Sequence, residues 1–549
     1  MILMAGLTGL AFGLRAYQLG TSSLWYDELL QLDVVQGPFS QILPQLERHA
    51  AMPLDYFILY GWIKFGREEA WVRFPALFFG TLATPAIYAL AARMFRKSVG
   101  WAAAVLLTCS SFAIEYSQET RPYALLTLLV VVMYLGVWQA YQTRRKRYWG
   151  VAAAGLIGSI LTHYFALFML IPVGLFIAAQ QVYHLRAREV WGQTACFGLS
   201  LFLLFVTLGV TGHVWRLYNV SFGFSRVVSQ PEVLSLPAPE KPNRGSGPSR
   251  DLDFFREKVL IPLTSVNEAS MLGYNFFFLA AVLGLARPRS KHRAALLLLL
   301  GWLFFPILLI YLFLLQRGTF FAVRYILYIL PAYLILAAYG LEALVAALVS
   351  LRPNPGQQSR RLSARKIMAG SLLLLILLPL GLAELDELAI YYSAGSREDW
   401  RAVGQLLQAN AGSADAVIAV RAEPALNWYY PPATAPFGTY SRSQPVWQAM
   451  QEHPRRWFIL SSYSQRRDQG LRDWLRERQA VLIAVDRRVV VYFHQEGLSA
   501  TELLAQVSNF SLPPKALTYA LLADQWQRQG NAEAGRAFQQ KALELAEVR

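Results

Sequence analysis

The chain is poor in the residues that build disulfide, redox and metal chemistry. Its two cysteines, Cys109 and Cys196, each lie inside an apolar run. That excludes a disulfide framework and reads as two small buried hydrophobes. The seven histidines show no H-x-x-H spacing, and C-x-x-C is absent as well, so no metal-ligand motif stands out. A Gly-rich phosphate loop, a Walker motif and G-x-S-x-G are also missing, which leaves nucleotide-driven chemistry without support. The start of the chain lacks the marks of a signal peptide. Met1–Tyr17 has no leading charge, and Arg15 stands where a cleavage motif would be. It is read as an uncleaved first membrane span.

What the chain has in excess is apolar sequence. Of its 549 residues, 55% are hydrophobic, above the roughly 45–50% of soluble domains. Candidate spans near the ~20 residues a bilayer requires follow at 71–94, 100–117, 121–142, 148–162, 164–184, 193–214, 270–287, 293–315, 321–349 and 366–389. With the first segment, this predicts a polytopic α-helical membrane protein of about 11 transmembrane helices. The stretch 148–184 is divided at His163-Tyr164.

The formal charge of +16 does not form a nucleic-acid stripe. Lys and Arg gather in short loops: Arg93/Arg96/Lys97, Arg144/Arg145/Lys146/Arg147, Arg186/Arg188, Arg287/Arg289/Lys291/Arg293 and Arg352/Arg360/Arg361/Arg365/Lys366. That is the positive-inside pattern. It predicts a multi-pass inner-membrane protein with a cytoplasmic N-terminus. Residues 18–70, 115–120, 163, 215–269 and 316–320, and everything after about 390, are then extracytoplasmic. Within them, Pro53–Lys64 reads as an aromatic helix lying in the interface, and Pro231–Asp251 as a loop rich in Pro, Gly, Ser and charge.

Three regions are expected: a membrane domain over 1–390, an extracytoplasmic α/β domain over 391–498 and a helical tail over 499–549. Val417–Val420, Trp457–Leu460, Ala480–Val485 and Val489–Phe493 are strand-like, with helical stretches at Trp400–Gln408 and Gly470–Arg478. The tail, Ala516–Val548, has the small-residue spacing of one tetratricopeptide-type hairpin. A single repeat cannot bury its own face, so it caps the preceding domain or meets a partner.

Candidate chemistry gathers at the extracytoplasmic ends of the spans. Asp27-Glu28, flanked by Trp25 and Tyr26, sits where the first helix gives way to water. A solvated acid pair is the plain reading, but adjacent acids repel, which suits one of them to accepting a proton. Glu119, Arg121 and Tyr123 lie in a very short turn between spans, where charge is costly and is paired or functional. His163 marks another such turn. Arg317 and Arg324-Tyr325, with Arg67 and Arg73, lie near the membrane surface. They can snorkel or hold a lipid phosphate through the planar guanidinium fork.

At these residues the chain resembles the GT-C membrane glycosyltransferases, in the branch of the protein O-mannosyltransferases and lipid A aminoarabinose transferases (glycosyltransferase families 39 and 83). The resemblance rests on Ser23-Leu24-Trp25-Tyr26-Asp27-Glu28, Pro53-Leu54-Asp55-Tyr56 and Glu69 with Arg73-Phe74-Pro75-Ala76-Leu77-Phe78-Phe79-Gly80. It continues in Tyr116-Ser117-Gln118-Glu119-Thr120-Arg121-Pro122-Tyr123-Ala124, Thr162-His163-Tyr164-Phe165 and Arg324-Tyr325. It covers roughly residues 1–390, with a departure at Ala51-Met52-Pro53, where many relatives have His-Pro-Pro. It implies a hexosyl- or pentosyltransferase with a polyprenyl-phosphate-linked sugar as donor. It implies Asp27 as catalytic base and Glu28 as the family's second acid, and it puts Glu119 where relatives carry a further acid. Tyr26, Arg73, Arg121, Tyr123, His163, Arg324 and Tyr325 are the expected substrate-binding residues. No cofactor is required, with a divalent metal ion left open. The acceptor is a hydroxyl of protein, lipid or glycan. The rival class is a transporter or lipid-carrier flippase, which calls for repeats in two halves and polar residues near the midplane; neither is visible.

Overall fold

The computed structural model describes residues 2–49, 51–183, 198, 268–283, 292–317, 323–350, 381–392, 398–420, 422–430, 437–439, 453–461, 469–486 and 488–547. Cys196, the segment 231–251, residues 366–380 and, apart from Gly198, the expected span 193–214 lie outside the described residues. The chain divides into two compact units. One contains Met1–Leu19 and most of the stretch from Pro38 to Ala394; the other joins Gly20–Gly37 to Gly395–Arg549.

The first unit is a bundle of apolar helices. Glu69–Met94, Tyr123–Thr143, Arg293–Phe313 and Arg324–Ala346 are long and apolar enough to cross a membrane. Ile2–Ala16 and Lys97–Cys109 are shorter apolar helices over further expected spans. Phe78, Leu297, Phe304 and Leu308 stay exposed on these helices, as on a surface that lipid covers. The helical membrane character expected from the sequence is therefore present among the described residues. Pro53–Trp62 forms a short helix, as the aromatic stretch there predicts.

Backbones approach closely where small residues allow it. Tyr123–Thr143 ends at Arg144, in the left-handed region at φ 57°, and Arg147–Thr162 runs back along it. A Cβ on Gly136 would lie 2.4 Å from Ala152 N, and one on Gly155 2.7 Å from Met133 N. The second helix stops at His163, whose extended backbone (φ −155°, ψ 129°) leads into the 3₁₀ turn Tyr164–Met169 and then Leu170–Tyr183. The expected break at His163-Tyr164 is thus a break in the helix.

A buried aromatic chain ties distant segments to that turn. Tyr134 stacks on Trp302 with ring centroids 4.0 Å apart. Trp302 Nε1 donates to Tyr328 O at 3.1 Å, and Tyr328 Oη donates to Phe165 O at 3.2 Å. Each of these two rings is large apolar bulk whose polar tip finds a carbonyl, as an apolar interior demands.

The second unit contains a five-stranded sheet in the order β2-β1-β3-β5-β4. The strands are β1 Ala416–Val420, β2 Phe437–Thr439, β3 Arg455–Ser461, β4 Val481–Ala484 and β5 Val489–Gln495. β1 pairs in parallel with β2 and β3, while β5 is antiparallel to β3 and β4. The strand-like runs of the sequence form β1, β3, β4 and β5. β2 is too short and too polar in its surroundings to show by pattern.

Trp400–Asn410 begins at Asp399, whose Oδ1 accepts from Ala402 N at 3.1 Å, an N-cap. Ala516–Arg528 and Ala532–Glu547 pack as two helices with Gly530 at φ 79° in the turn. The first of them covers the edge strand. Gln525 Oε1 accepts from Leu482 N at 3.0 Å and Gln525 Nε2 donates to Leu482 O at 2.8 Å. One side-chain amide thus imitates a strand partner and blocks edge pairing.

Candidate active site

In the first unit, the short turn 115–122 is held from several sides. Gln118 Nε2 donates to Arg15 O at 2.9 Å and Tyr17 O at 2.7 Å, and Tyr391 Oη donates to Gln118 Oε1 at 2.7 Å. Arg15 Nε donates to Ser117 Oγ at 3.2 Å, and its other nitrogens reach the carbonyls of Ala11, Leu107 and Thr108. A Cβ on Gly80 would lie 2.1 Å from Ser117 Oγ, so this glycine leaves the turn its place. Arg15 is fully buried. Motif reading passes over this residue, although a guanidinium in an apolar first helix is itself a signal.

The turn presents Glu119, Arg121 and Tyr123, with Glu119 and Tyr123 buried. Arg121 hydrogen-bonds to the Tyr123 side chain, and its guanidinium lies 6.0 Å from that ring's centroid. Tyr116 packs edge-on to Tyr123 at 5.4 Å, and His163 lies 6.0 Å from Tyr123 and 6.1 Å from Tyr325 between ring centroids. Arg324, 5.9 Å from the Tyr325 ring, acts electrostatically together with Arg121 on both Tyr123 and His163. The structure therefore brings Arg121, Tyr123, His163, Arg324 and Tyr325 together, with Glu119 on the same turn.

His163 is neutral here. Burial, then the positive charges of Arg121 and Arg324, push its imidazole down from 6.5 to about 3. Its Nδ1 accepts from Phe165 N at 3.2 Å, which puts the ring proton on Nε2. It can donate one hydrogen bond to a ligand but brings no charge. The cations of this cluster are the arginines. Arg73 is buried, and its Nη1 donates to Leu19 O at 2.9 Å.

In the second unit, Asp27 and Glu28 occupy the first turn of the helix Tyr26–Gln36, where the helix dipole favours negative charge. Glu28 is fully buried, and its Oε2 accepts from Trp25 N at 3.1 Å. That is the reach-back half of a capping box. Asp27 keeps intermediate exposure. The two acids thus differ: Glu28 closes the helix end, and Asp27 is half-exposed. Tyr26 is half-buried, and its N–H donates to Glu398 Oε2 at 3.3 Å.

Among the described residues, no three His, Cys, Asp or Glu side chains gather as a metal-holding group.

Residues 50–207 match the family described as dolichyl-phosphate-mannose-protein mannosyltransferase. No curated protein matches the chain. Among solved structures, the chain is similar to ArnT from Cupriavidus metallidurans bound to undecaprenyl phosphate, at 14% identity and a TM-score of 0.54. It is also similar to the apo state of that protein, at 12% identity and a TM-score of 0.55. Each alignment covers 90% of this chain and 98% of the other. At such identities the shared property is the fold. The chain shares the fold of these ArnT structures, and the matched segment 50–207 contains several of the motifs singled out in the sequence.

Proposed function

We propose that the chain is a membrane glycosyltransferase that moves a sugar from a polyprenyl-phosphate carrier to an acceptor hydroxyl at the extracytoplasmic face, with Asp27 as general base. The observation that carries this reading is the convergence of Arg121 and Arg324 on buried Tyr123 and half-buried His163. Two guanidinium groups at the ends of apolar helices suit the phosphate of a lipid. The undecaprenyl phosphate bound by the ArnT of similar fold supports the same donor class here.

In this reaction, Asp27 takes the proton of the acceptor hydroxyl as its oxygen bonds to the anomeric carbon. The bond from that carbon to the phosphate oxygen breaks, and the polyprenyl phosphate leaves with the electron pair. Arg324 and Arg121 offset the charge that develops on it. Glu119 and Tyr325 line the donor's polar end, and the His163 Nε2–H donates to it. One displacement predicts inversion at the anomeric carbon. Glu28 orients the helix end that carries Asp27.

The test supplies membranes containing the protein with a panel of radiolabelled undecaprenyl-phosphate-linked sugars, in EDTA and then with Mg²⁺ or Mn²⁺. Transfer that is lost in Asp27→Asn supports the reading. No turnover of any donor by the wild type, or undiminished transfer by Asp27→Asn, would sink it. The EDTA arm decides whether a divalent ion takes part.

A further inference from the structure

The helix that carries Asp27 holds only part of its own start. Its N-cap position is Trp25, which offers no side-chain acceptor, and acceptors come instead from residues some 370–400 positions later. Glu398 Oε2 accepts from Tyr26 N at 3.3 Å and from Trp400 Nε1 at 2.9 Å. Ser23 Oγ donates to Glu398 O at 2.6 Å and accepts from Trp400 N at 3.1 Å. Tyr429 Oη accepts from Leu24 N at 2.8 Å. Further along the helix, Asn427 Nδ2 donates to Asp33 Oδ1 at 2.9 Å. All of these residues belong to one compact unit. Trp400 and Ser23 are buried, and Tyr26 and Glu398 are half-buried, so the contacts are partly shielded from water.

We infer that Glu398 is a positioning residue for Asp27, and that the C-terminal α/β domain holds the proposed base in its working orientation; this rests on the reading of Asp27 as the base. Glu398 touches the backbone one residue before Asp27. Losing that acceptor lets the first helical turn fray, and Asp27 then points away from its line of proton transfer. Both hydrogen bonds end on one oxygen and both arrive from N–H donors. A glutamine carbonyl can accept them equally well, whereas alanine cannot. The function of Glu398 therefore requires an acceptor, not a charge.

The experiment uses the full-length protein in membranes and whichever donor of the undecaprenyl-phosphate panel the wild type turns over. Glu398→Ala is expected to lower kcat by about tenfold to a hundredfold, the scale of a small misplacement of a reacting group. The KM for the lipid donor stays within about twofold, since donor-binding residues are untouched. Glu398→Gln is expected to recover most of the lost kcat. Amide hydrogen exchange of the peptide spanning residues 22–30 should quicken in the alanine variant and return in the glutamine one. Wild-type kcat in Glu398→Ala, or a glutamine variant as slow as alanine, overturns the inference. If Glu398→Ala does not fold, Tyr429→Phe takes its place by removing the acceptor of Leu24 N. It should lower kcat at constant KM, and wild-type kcat there overturns the inference equally. Failure of the base assignment looks different, because Asp27→Asn then keeps its activity whatever Glu398 does.

Discussion

The two clusters that matter are built in different ways. In the membrane unit, Arg121, Tyr123, His163 and Arg324 stand on or between apolar helices. They are set by aromatic contacts and by carbonyl anchors such as those of Arg15 and Gln118. In the second unit, Asp27 stands on a short helix whose start depends on Glu398, Ser23 and Tyr429. The first arrangement follows the rule that a charged or polar group in an apolar interior must find its partners. The second rests on hydrogen bonds from distant residues that contribute about 1 kcal/mol each. The proposed phosphate cluster is thus built into the bundle, while the proposed base stands on a helix of the second unit.

The comparison breaks most sharply at the acids. Asp27→Asn should lower transfer by about 10²- to 10⁴-fold, the usual share of a general base. Glu28→Gln, which keeps an acceptor for Trp25 N, should retain most of it. Equal loss in both, read by radiolabel transfer, would mean that Glu28 shares the chemistry. Next come the arginines. Arg324→Ala should cost about 10²- to 10³-fold in kcat/KM, and Arg324→Lys should recover only part, because lysine lacks the two-pronged fork.

The third effect is on stability alone. Gly155→Leu pushes a side chain into the backbone of Met133 and should destabilise the bundle by about 1–3 kcal/mol or more, seen as earlier thermal unfolding in detergent. Gln525→Ala exposes the edge of β4 and should cost about 1 kcal/mol, with increased aggregation on heating.

The smallest effects concern pH. The His163 imidazole, at about 3 in the folded protein against 6.5 ordinarily, resists protonation. Stability is therefore unaffected above about pH 6.5 and falls as pH drops from there towards about 3. His163→Gln should lose less stability on acidification than wild type, with the pH profile of melting as the check. Glu398 behaves oppositely: burial raises its carboxyl above the usual range, partly countered by the hydrogen bonds from Trp400 and Tyr26. Its charged form costs stability as pH rises through the carboxylate range, so Glu398→Gln should gain on wild type as pH rises above the ordinary carboxylate value of 4.5.

Much of this is legible along the chain, for identifiable reasons. The spans show because apolar length is a direct requirement of the bilayer. The helix break at His163 shows because a polar residue interrupts an apolar run. The strands β1, β3, β4 and β5 show because buried strands concentrate β-branched and aromatic residues. Asp27, Arg121 and Arg324 stand out as charged residues at helix ends, and the arginines do meet at Tyr123 and His163. What is not legible is who supports them. Arg15 looks like part of a terminal segment, Gly80 like one letter of a motif, and Glu398 like an ordinary acid at the start of a helix. Each owes its role to a partner far away in the chain, and no local pattern records such a partner.

Apolar periodicity and charge placement, read along the chain, determined by themselves that this is a helical membrane protein with its polar chemistry at helix ends. Solvation is a local property that each segment carries with it. Only the tertiary structure decided that Glu28 is buried as a helix cap while Asp27 stays accessible. It also decided that residues 20–37 fold with the C-terminal domain. The cap of Glu28 is a local hydrogen bond, but its burial and the pairing of residues 23–26 with Glu398 and Tyr429 depend on partners hundreds of residues apart.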